Sequence, residues 1–184
     1  MRIIAGEYRG RVLKSPSNLK IRPTSDRLRE TLFNILNPKI SSETSFLDLC
    51  AGTGAVGIEA ISRGVGFAVF VDKSRKACGL IETNLDALKI PENQTEVICD
   101  TAESFVRRKP HQTFDIIYFD PPYKTDYGQI LREINSNDLK IMKTGGVFIA
   151  EHNTKNNLPD AVGHLRRWRL LKQGESSLSF YEGN

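Results

Sequence analysis

The sequence is poor in the residues that build disulfide frameworks and metal sites. Its three cysteines are an odd number, widely spaced and without a Cys-x-x-Cys pair, which argues against both a disulfide scaffold and a zinc site. The three histidines are equally scattered, so we expect no bound metal. No apolar run approaches the roughly 18 residues of a membrane span, and the N-terminal apolar stretch is too short for a signal peptide. We therefore expect a cytoplasmic protein with no membrane partner.

Positive charge is concentrated at the start of the chain. The 184 residues have a net charge of +4, but residues 1–30 alone carry eight basic and three acidic side chains. A basic segment beside a near-neutral remainder indicates a polyanionic partner, although it could equally be a solvated charged face. The length fits one domain with its own core, and nothing in the sequence demands more than a monomer.

Short apolar runs alternate with helical segments through the middle of the chain. We predict strands at 45–50, 67–72, 95–99, 114–119 and 147–150 (the last after a turn at Gly145-Gly146), with helices at 55–63, 74–88, 102–108 and 127–135. Continuous rather than alternating apolar runs are typical of parallel strands covered on both faces. Two final β-like runs, 168–172 and 178–181, are joined by a Gly-containing link that permits an antiparallel hairpin. The pattern predicts an α/β, doubly wound, Rossmann-like fold with a mostly parallel seven-stranded sheet and an antiparallel C-terminal hairpin.

A separate N-terminal extension precedes this sheet. Two β-like segments around Gly6 and Gly10 predict a small hairpin, and Thr24 or Ser25 could cap a helix that ends at Leu36. An apolar stripe at helical spacing predicts that the helix docks on the rest of the molecule. We divide the chain into this basic extension, residues 1–40, and the α/β domain, residues 41–184.

The first chemical motif is Gly-x-Gly-x-x-Gly, which runs from Gly52 to Gly57 between a predicted strand and helix. Asp72 ends the next strand, where a carboxylate can bond the two hydroxyls of a ribose. These features fit either a dinucleotide or an adenosyl cofactor. Asp48, in the strand before the glycines, would oppose a pyrophosphate but would favour the cationic end of S-adenosylmethionine.

Two further residues lie at predicted strand ends. Asp100 could bond the adenine amine of the cofactor, could be the N-cap of the next helix, or could do both. Cys50 is interpreted as a small apolar filler rather than a nucleophile.

The most specific motif is Asp120-Pro121-Pro122-Tyr123, directly after the fourth strand. Consecutive prolines form a rigid loop whose carbonyls point outward. The Asp120 carboxylate and the Pro121 carbonyl could accept hydrogen bonds from an exocyclic base amine, orient its lone pair and stabilise its developing charge. Tyr123 offers a face for an extruded base. The loop contains no cysteine, which excludes the covalent chemistry of pyrimidine C5 methylation.

The combined motifs resemble class I methyltransferases and, within them, the RsmD family of bacterial small-subunit ribosomal RNA guanine-N2 methyltransferases. The resemblance rests on residues 2–6, 8–11 and 22–33 and on the motifs at 47–64, 119–123 and 178–181, so that it covers nearly the whole chain.

The resemblance implies S-adenosylmethionine as methyl donor and a guanine amine of 16S rRNA, in the small ribosomal subunit or its assembly precursor, as acceptor. The implied cofactor pocket consists of Asp48, Cys50, Ala51, Gly52, Gly54, Asp72, Lys73, Asp100 and Thr101. The residues implied to hold the guanine are Asp120, Pro121, Pro122 and Tyr123. The residues implied to contact RNA phosphates are Arg2, Arg9, Arg11, Arg22 and Arg27.

Three other functions compete with this prediction. An adenine-N6 DNA methyltransferase would use a similar Pro-Pro-Tyr loop, and a dehydrogenase would explain the glycines and Asp72. A non-catalytic RNA-binding assembly factor would explain the basic extension. The dehydrogenase leaves Asp48 and the Asp120 loop unexplained, and a pure binding protein would need neither motif.

Overall fold

The computed structural model describes residues 1–15, 25–108, 112–122, 126–134 and 141–183. Its helices are α1 Asp26–Leu36, α2 Ala55–Ser62, α3 Arg75–Leu88, α4 Ala102–Arg107 and α5 Tyr127–Ile134, with short 3-10 turns at Asn37–Lys39 and Glu92–Gln94. Its strands are β1 Ser45–Leu49, β2 Phe67–Asp72, β3 Thr95–Cys99, β4 Phe114–Phe119, β5 Met142–Asn153, β6 Ala161–Val162, β7 Leu165–Gln173 and β8 Ser176–Gly183.

All eight strands form one sheet in the order β3-β2-β1-β4-β5-β8-β7-β6. The first five strands in this order are parallel, whereas β8 runs antiparallel to β5 and β7. The predicted doubly wound fold with its antiparallel C-terminal hairpin is therefore confirmed. The strand beyond the predicted seven is β6, a two-residue segment at the sheet edge.

Helices cover both faces of the sheet, which explains the continuous apolar runs of its strands. One core cluster joins the strands to α1, α2 and α3 through residues such as Phe33, Ile58 and Ile81. A second cluster on the other face joins them to α4 and α5 through Val106 and Leu131. Within the described part of the chain, no helix is long and apolar enough to cross a membrane.

The N-terminal extension packs directly on this core. Arg2 and Val12 form an antiparallel bridge, and Ile3 and Leu13 are buried in the same cluster as the first face of the sheet. The Ser25 hydroxyl accepts a hydrogen bond from the Leu28 amide at 3.1 Å, so the predicted capped helix is confirmed.

The predicted turn at Gly145-Gly146 is wrong, because both residues lie inside β5. Phe114 pairs with Met142 and Ile116 with Val147, so that β5 bulges out of register between these pairs. Gly145 adopts a φ of +74°, and a Cβ on Gly146 would lie 2.8 Å from a backbone oxygen. The glycines therefore allow a bulge within a strand instead of a turn before it.

Candidate active site

The carboxyl ends of four strands place the predicted site residues in one row. Leu49 of β1 pairs with both Val71 of β2 and Phe119 of β4, and Phe119 pairs in turn with Ala150 of β5. The next residue on each strand is respectively Cys50, Asp72, Asp120 and Glu151. Across the carboxyl ends of the strands their order is Asp72, Cys50, Asp120 and Glu151. The strand order reverses between β1 and β4, and ligands bind at such a reversal in open α/β sheets.

The glycine motif forms a tight connection between β1 and α2. Gly52 and Gly54 have φ values of 58° and 75°, and the Gly54 amide donates to the Ala51 carbonyl at 2.8 Å. A Cβ on Gly57 would lie 2.3 Å from the Phe70 ring, so a side chain there would push α2 away from the sheet. The first two glycines shape the loop, and the third permits close packing of helix and strand.

Asp48 lies below this loop with only 2% of its surface exposed. Its Oδ2 accepts a hydrogen bond from the Gly57 amide at 3.0 Å. Burial raises its pKa to about 7; the Gly57 bond opposes this rise, and the nearby Asp72 adds to it. A cation at this edge of the sheet would relieve the cost of ionising Asp48.

Asp72 ties the glycine loop to the start of α3. One carboxylate oxygen accepts from the Gly52 amide at 2.9 Å and the other from the Ser74 amide at 2.9 Å. Each oxygen has a second lone pair, so the carboxylate can also accept from the hydroxyls of a ribose. Lys73, the next residue, has an exposed side chain.

Asp100 was predicted as a possible helix N-cap, and this is wrong. The cap of α4 is Thr101, whose hydroxyl accepts from the Ser104 amide at 3.1 Å. Asp100 follows β3 and uses its carboxylate to accept from the Thr101 amide and to pair with Arg108. Its proposed bond to an adenine amine would therefore compete with Arg108.

The Asp120 loop begins beside the glycine loop, where the Asp120 amide donates to the Leu49 carbonyl at 3.4 Å. Pro121 is buried and Pro122 is exposed, whereas Tyr123 lies outside the described residues. Burial raises the pKa of Asp120 well above its usual value, and the charges of Glu151 and Asp48 raise it further. Cys50 lies among the same carboxylates; burial and these negative charges raise its pKa to about 12, which makes a thiolate nucleophile unfavourable.

The sequence interpretation missed Glu151 and the two tyrosines that hold it. Glu151 lies in β5 with 7% of its surface exposed. The Tyr118 hydroxyl donates to its carboxylate, and the Tyr127 hydroxyl donates to its backbone carbonyl at 3.1 Å. The predicted fifth strand ended at residue 150, yet an acidic residue directly after an apolar run is the same signal that singled out Asp72 and Asp120.

Asn84 was also missed. Its side-chain amide donates to the carbonyls of Thr53 in the glycine loop and Lys14 in the extension, both at 3.2 Å. Its Oδ1 accepts from the Lys14 amide at 2.8 Å. One buried side chain on α3 therefore connects the N-terminal extension to the predicted cofactor loop.

The predicted RNA-binding arginines lie on the N-terminal extension. The exposed ones are Arg2, Arg9, Arg11 and Arg27, and Arg22 lies outside the described residues. Arg29, which contributes to the basic charge of the segment, is instead fully buried and pairs with Asp26 and Glu59. The charge of Arg29 therefore stabilises the fold and is not exposed for contact with RNA.

Two other features lie away from the row of carboxylates. A surface depression of about 480 Å³ lies at the opposite ends of the strands, lined by Ser45, Phe67 and Thr113 among others, and it contains none of the predicted site residues. No group of three potential metal ligands is found in the described ranges.

Known proteins resemble the chain over its whole length. The family model described as Conserved hypothetical protein 95 matches residues 1–182. The chain is 34% identical over 185 residues to ribosomal RNA small subunit methyltransferase D of Escherichia coli K12, covering 99% of this chain and 89% of the relative.

Solved structures agree with these sequence matches. The Escherichia coli protein yhhF superimposes with a TM-score of 0.87 at 31% identity and covers 100% of this chain, which covers 98% of yhhF. The methyltransferase SMU.776, complexed with SAH, shares the fold at 18% identity and a TM-score of 0.66, over 84% of this chain and 49% of its own. The chain belongs to the Conserved hypothetical protein 95 family, the RsmD family, as its N-terminal and Asp120 motifs predicted.

Proposed function

We propose that this protein transfers a methyl group from S-adenosylmethionine to the exocyclic N2 amine of a guanine in small-subunit ribosomal RNA. The observation that carries the proposal is the order of the strand ends, in which the Asp120 loop and Asp72 lie on either side of the glycine loop. A donor pocket and an amine-binding loop would then be adjacent, as direct methyl transfer requires. The family membership supports the ribosomal substrate.

The residues at the sheet edge fit the proposed donor. Asp72 retains lone pairs for the ribose hydroxyls, and the ionised form of buried Asp48 would be stabilised by a nearby cation such as a sulfonium. Lys73, Asp100 and Thr101 would border the adenine side, and Cys50, Ala51, Gly52 and Gly54 the methionine side. S-adenosylmethionine supplies an electrophilic methyl group, and the fold neighbour SMU.776 was solved with SAH, the corresponding demethylated product.

The Asp120 loop would orient the acceptor. An exocyclic amine is a weak nucleophile because its lone pair is delocalised into the base. Hydrogen bonds from the amine to the Asp120 carboxylate and the Pro121 carbonyl would turn the lone pair toward the methyl group and stabilise the positive charge that forms on nitrogen. Pro122 would keep the loop rigid, and Tyr123 would stack on the base.

The N-terminal extension, residues 1–40, would bind the RNA backbone. Its exposed Arg2, Arg9 and Arg11 surround the hairpin, and Arg27 lies on α1. Contacts of this kind hold phosphates and fix the position of the RNA without reading its sequence. The family resemblance implies the same role for Arg22, which lies outside the described residues.

The test is transfer of labelled methyl from S-adenosylmethionine to small ribosomal subunits, naked 16S rRNA and duplex DNA, followed by nucleoside analysis. We expect N2-methylguanosine with a ribosomal substrate. Label recovered as N6-methyladenine in DNA would instead establish a DNA methyltransferase. Donor binding without transfer to any of the three substrates would contradict the proposed reaction.

A further inference from the structure

Glu151 lies beside the residue proposed to hold the acceptor amine. Phe119 and Ala150 are paired in the parallel ladder of β4 and β5, so the next residues, Asp120 and Glu151, are neighbours at the sheet edge. On its other side Glu151 pairs with Leu178 of β8. The Glu151 carboxylate is buried and accepts a hydrogen bond from Tyr118, and Tyr127 of α5 holds its backbone carbonyl.

This arrangement lowers the stability of the folded protein. Asp48, Asp120 and Glu151 bring three carboxyl groups together at a largely water-excluded edge, where like charges repel strongly. Replacing a buried charge by a polar amide of similar size would relieve this repulsion. The hydrogen bond from Tyr118 nevertheless fixes the Glu151 carboxylate in place, which indicates a use for its charge.

We propose that Glu151, held by Tyr118, is a positioning residue that enables Asp120 to accept the proton released by the acceptor amine. This inference rests on the proposed function. In the transfer step, the amine lone pair forms a bond to the methyl carbon, and the carbon–sulfur bond electrons move to sulfur. The nitrogen then carries a methyl group, two hydrogens and a positive charge. One proton passes to the Asp120 carboxylate, and the neutral methylated amine remains.

The electrostatics are consistent with this role. The pKa of Asp120 is raised by burial, then by the charge of Glu151 and then by that of Asp48. Among the described residues, the groups next to the Asp120–Glu151 pair include Asp48 and Cys50 of the β1 end, Tyr118 of β4, Tyr127 of α5 and Leu178 of β8. A carboxylate with a raised pKa is a better proton acceptor near neutral pH, and activity should fall when the pH drops below that pKa.

The first test compares the pH dependence of kcat/KM for the full-length wild type and Glu151→Gln with the same ribosomal substrate. Removing the Glu151 charge should move the acid limb to lower pH by about one unit, which is the effect of one neighbouring charge. It should also lower kcat about tenfold, because Asp120 becomes a weaker base. The dissociation constant of S-adenosylmethionine should change less than about twofold.

Two matched variants separate this role from general damage. Glu151→Asp keeps the charge, so its acid limb should remain near that of the wild type even if kcat falls. Glu96→Gln makes the same chemical change on the exposed face of β3 and should leave both the limb and kcat unchanged. The proposal would be overturned if the acid limb of the kcat/KM profile did not move in Glu151→Gln, or if it moved equally in Glu96→Gln.

A measurement on the wild type keeps the test independent of variant folding. Carboxyl ¹³C NMR should show Asp120 titrating well above the ordinary range of aspartate, and an ordinary pKa would overturn the inference. If the wild type methylates no RNA, the proposed function fails. The titration then still shows whether the pKa of Asp120 is raised beside Glu151. If the wild type is active and Glu151→Gln has the same pH profile, only the role of Glu151 fails.

Discussion

At the scale of single residues, the candidate site depends on carboxyl groups with different surroundings. Asp72 is only partly buried and both its oxygens bind backbone amides. Asp48 accepts one backbone amide, and burial raises its pKa. No described residue donates a hydrogen bond to the Asp120 carboxylate, so it is available to a ligand. These environments suit three tasks, which are shaping the loop, facing a cation and holding an amine.

The role of Asp120 predicts a selective loss of chemistry. Asp120→Ala should lower methyl transfer by about 100-fold or more, because the amine loses its acceptor at the reacting atom. The affinity for S-adenosylmethionine, measured by calorimetry, should change little. Asp86→Ala, on the exposed face of α3, serves as the control and should retain wild-type activity. Near-normal turnover by Asp120→Ala would remove this residue from the mechanism.

Asp48 should make stability dependent on pH. Its folded pKa of about 7 exceeds the usual value of 3.8, so as the pH rises the unfolded state loses this proton first and the folded state is progressively destabilised. Asp48→Asn lacks this penalty and can still accept from the Gly57 amide.

The stability of Asp48→Asn relative to the wild type should therefore improve between pH 5 and pH 8, by about 2 to 3 kcal/mol. Urea unfolding of both proteins at the two pH values measures this difference. A difference that does not vary with pH would show that Asp48 ionises normally.

At the scale of elements, Glu59 of α2 attaches the N-terminal extension to the sheet. Its fully buried carboxylate accepts from the Ile4 amide at 2.8 Å and the Ala5 amide at 3.0 Å. It also pairs with Arg63 at 2.8 Å and with the buried Arg29 at 3.6 Å. The extension is therefore held by a charge network as well as by its apolar residues.

Glu59→Gln should destabilise the protein by about 3 kcal/mol or more, because Arg29 is left buried without its full countercharge. Urea unfolding monitored by circular dichroism gives this loss. The matched change Glu30→Gln, at an exposed position of α1, should cost less than about 0.5 kcal/mol. Equal stability of Glu59→Gln and wild type would show that the Glu59 charge is not needed to hold the extension.

At the scale of the whole molecule, the N-terminal extension with its exposed arginines adjoins the glycine loop of the candidate site. Asn84 links the glycine loop to the extension. The extension and the glycine loop are therefore joined through the side chain of one α3 residue.

Neutralising Arg9 and Arg11 together should weaken RNA binding and reduce the slope of log K against log salt by about 1 to 2, since up to two phosphate contacts are lost. Filter binding at several salt concentrations measures the slope. Arg132→Ala, which removes an exposed arginine from α5, should leave the slope unchanged. An unchanged slope in the double variant would show that these arginines are only solvated surface.

The sequence by itself determined the order of elements, the sheet class and the residues at the ends of β1, β2 and β4. Apolar runs, glycine spacing and the Asp-Pro-Pro-Tyr motif are local properties of the sequence. Each can be recognised within a segment of about ten residues. The family followed from the same motifs together with the N-terminal segment, and the whole-chain match confirmed it.

Only the tertiary structure decided which side chains meet. The bulge at Gly145 sets the register of β5 and so brings Glu151 beside Asp120, and a register between distant strands is not written in either strand alone. Burial of Arg29 and the bridge through Asn84 likewise depend on partners more than 25 residues away in the chain. Local patterns therefore predicted the chemistry of the site, whereas long-range packing fixed the charges and hydrogen bonds that surround it.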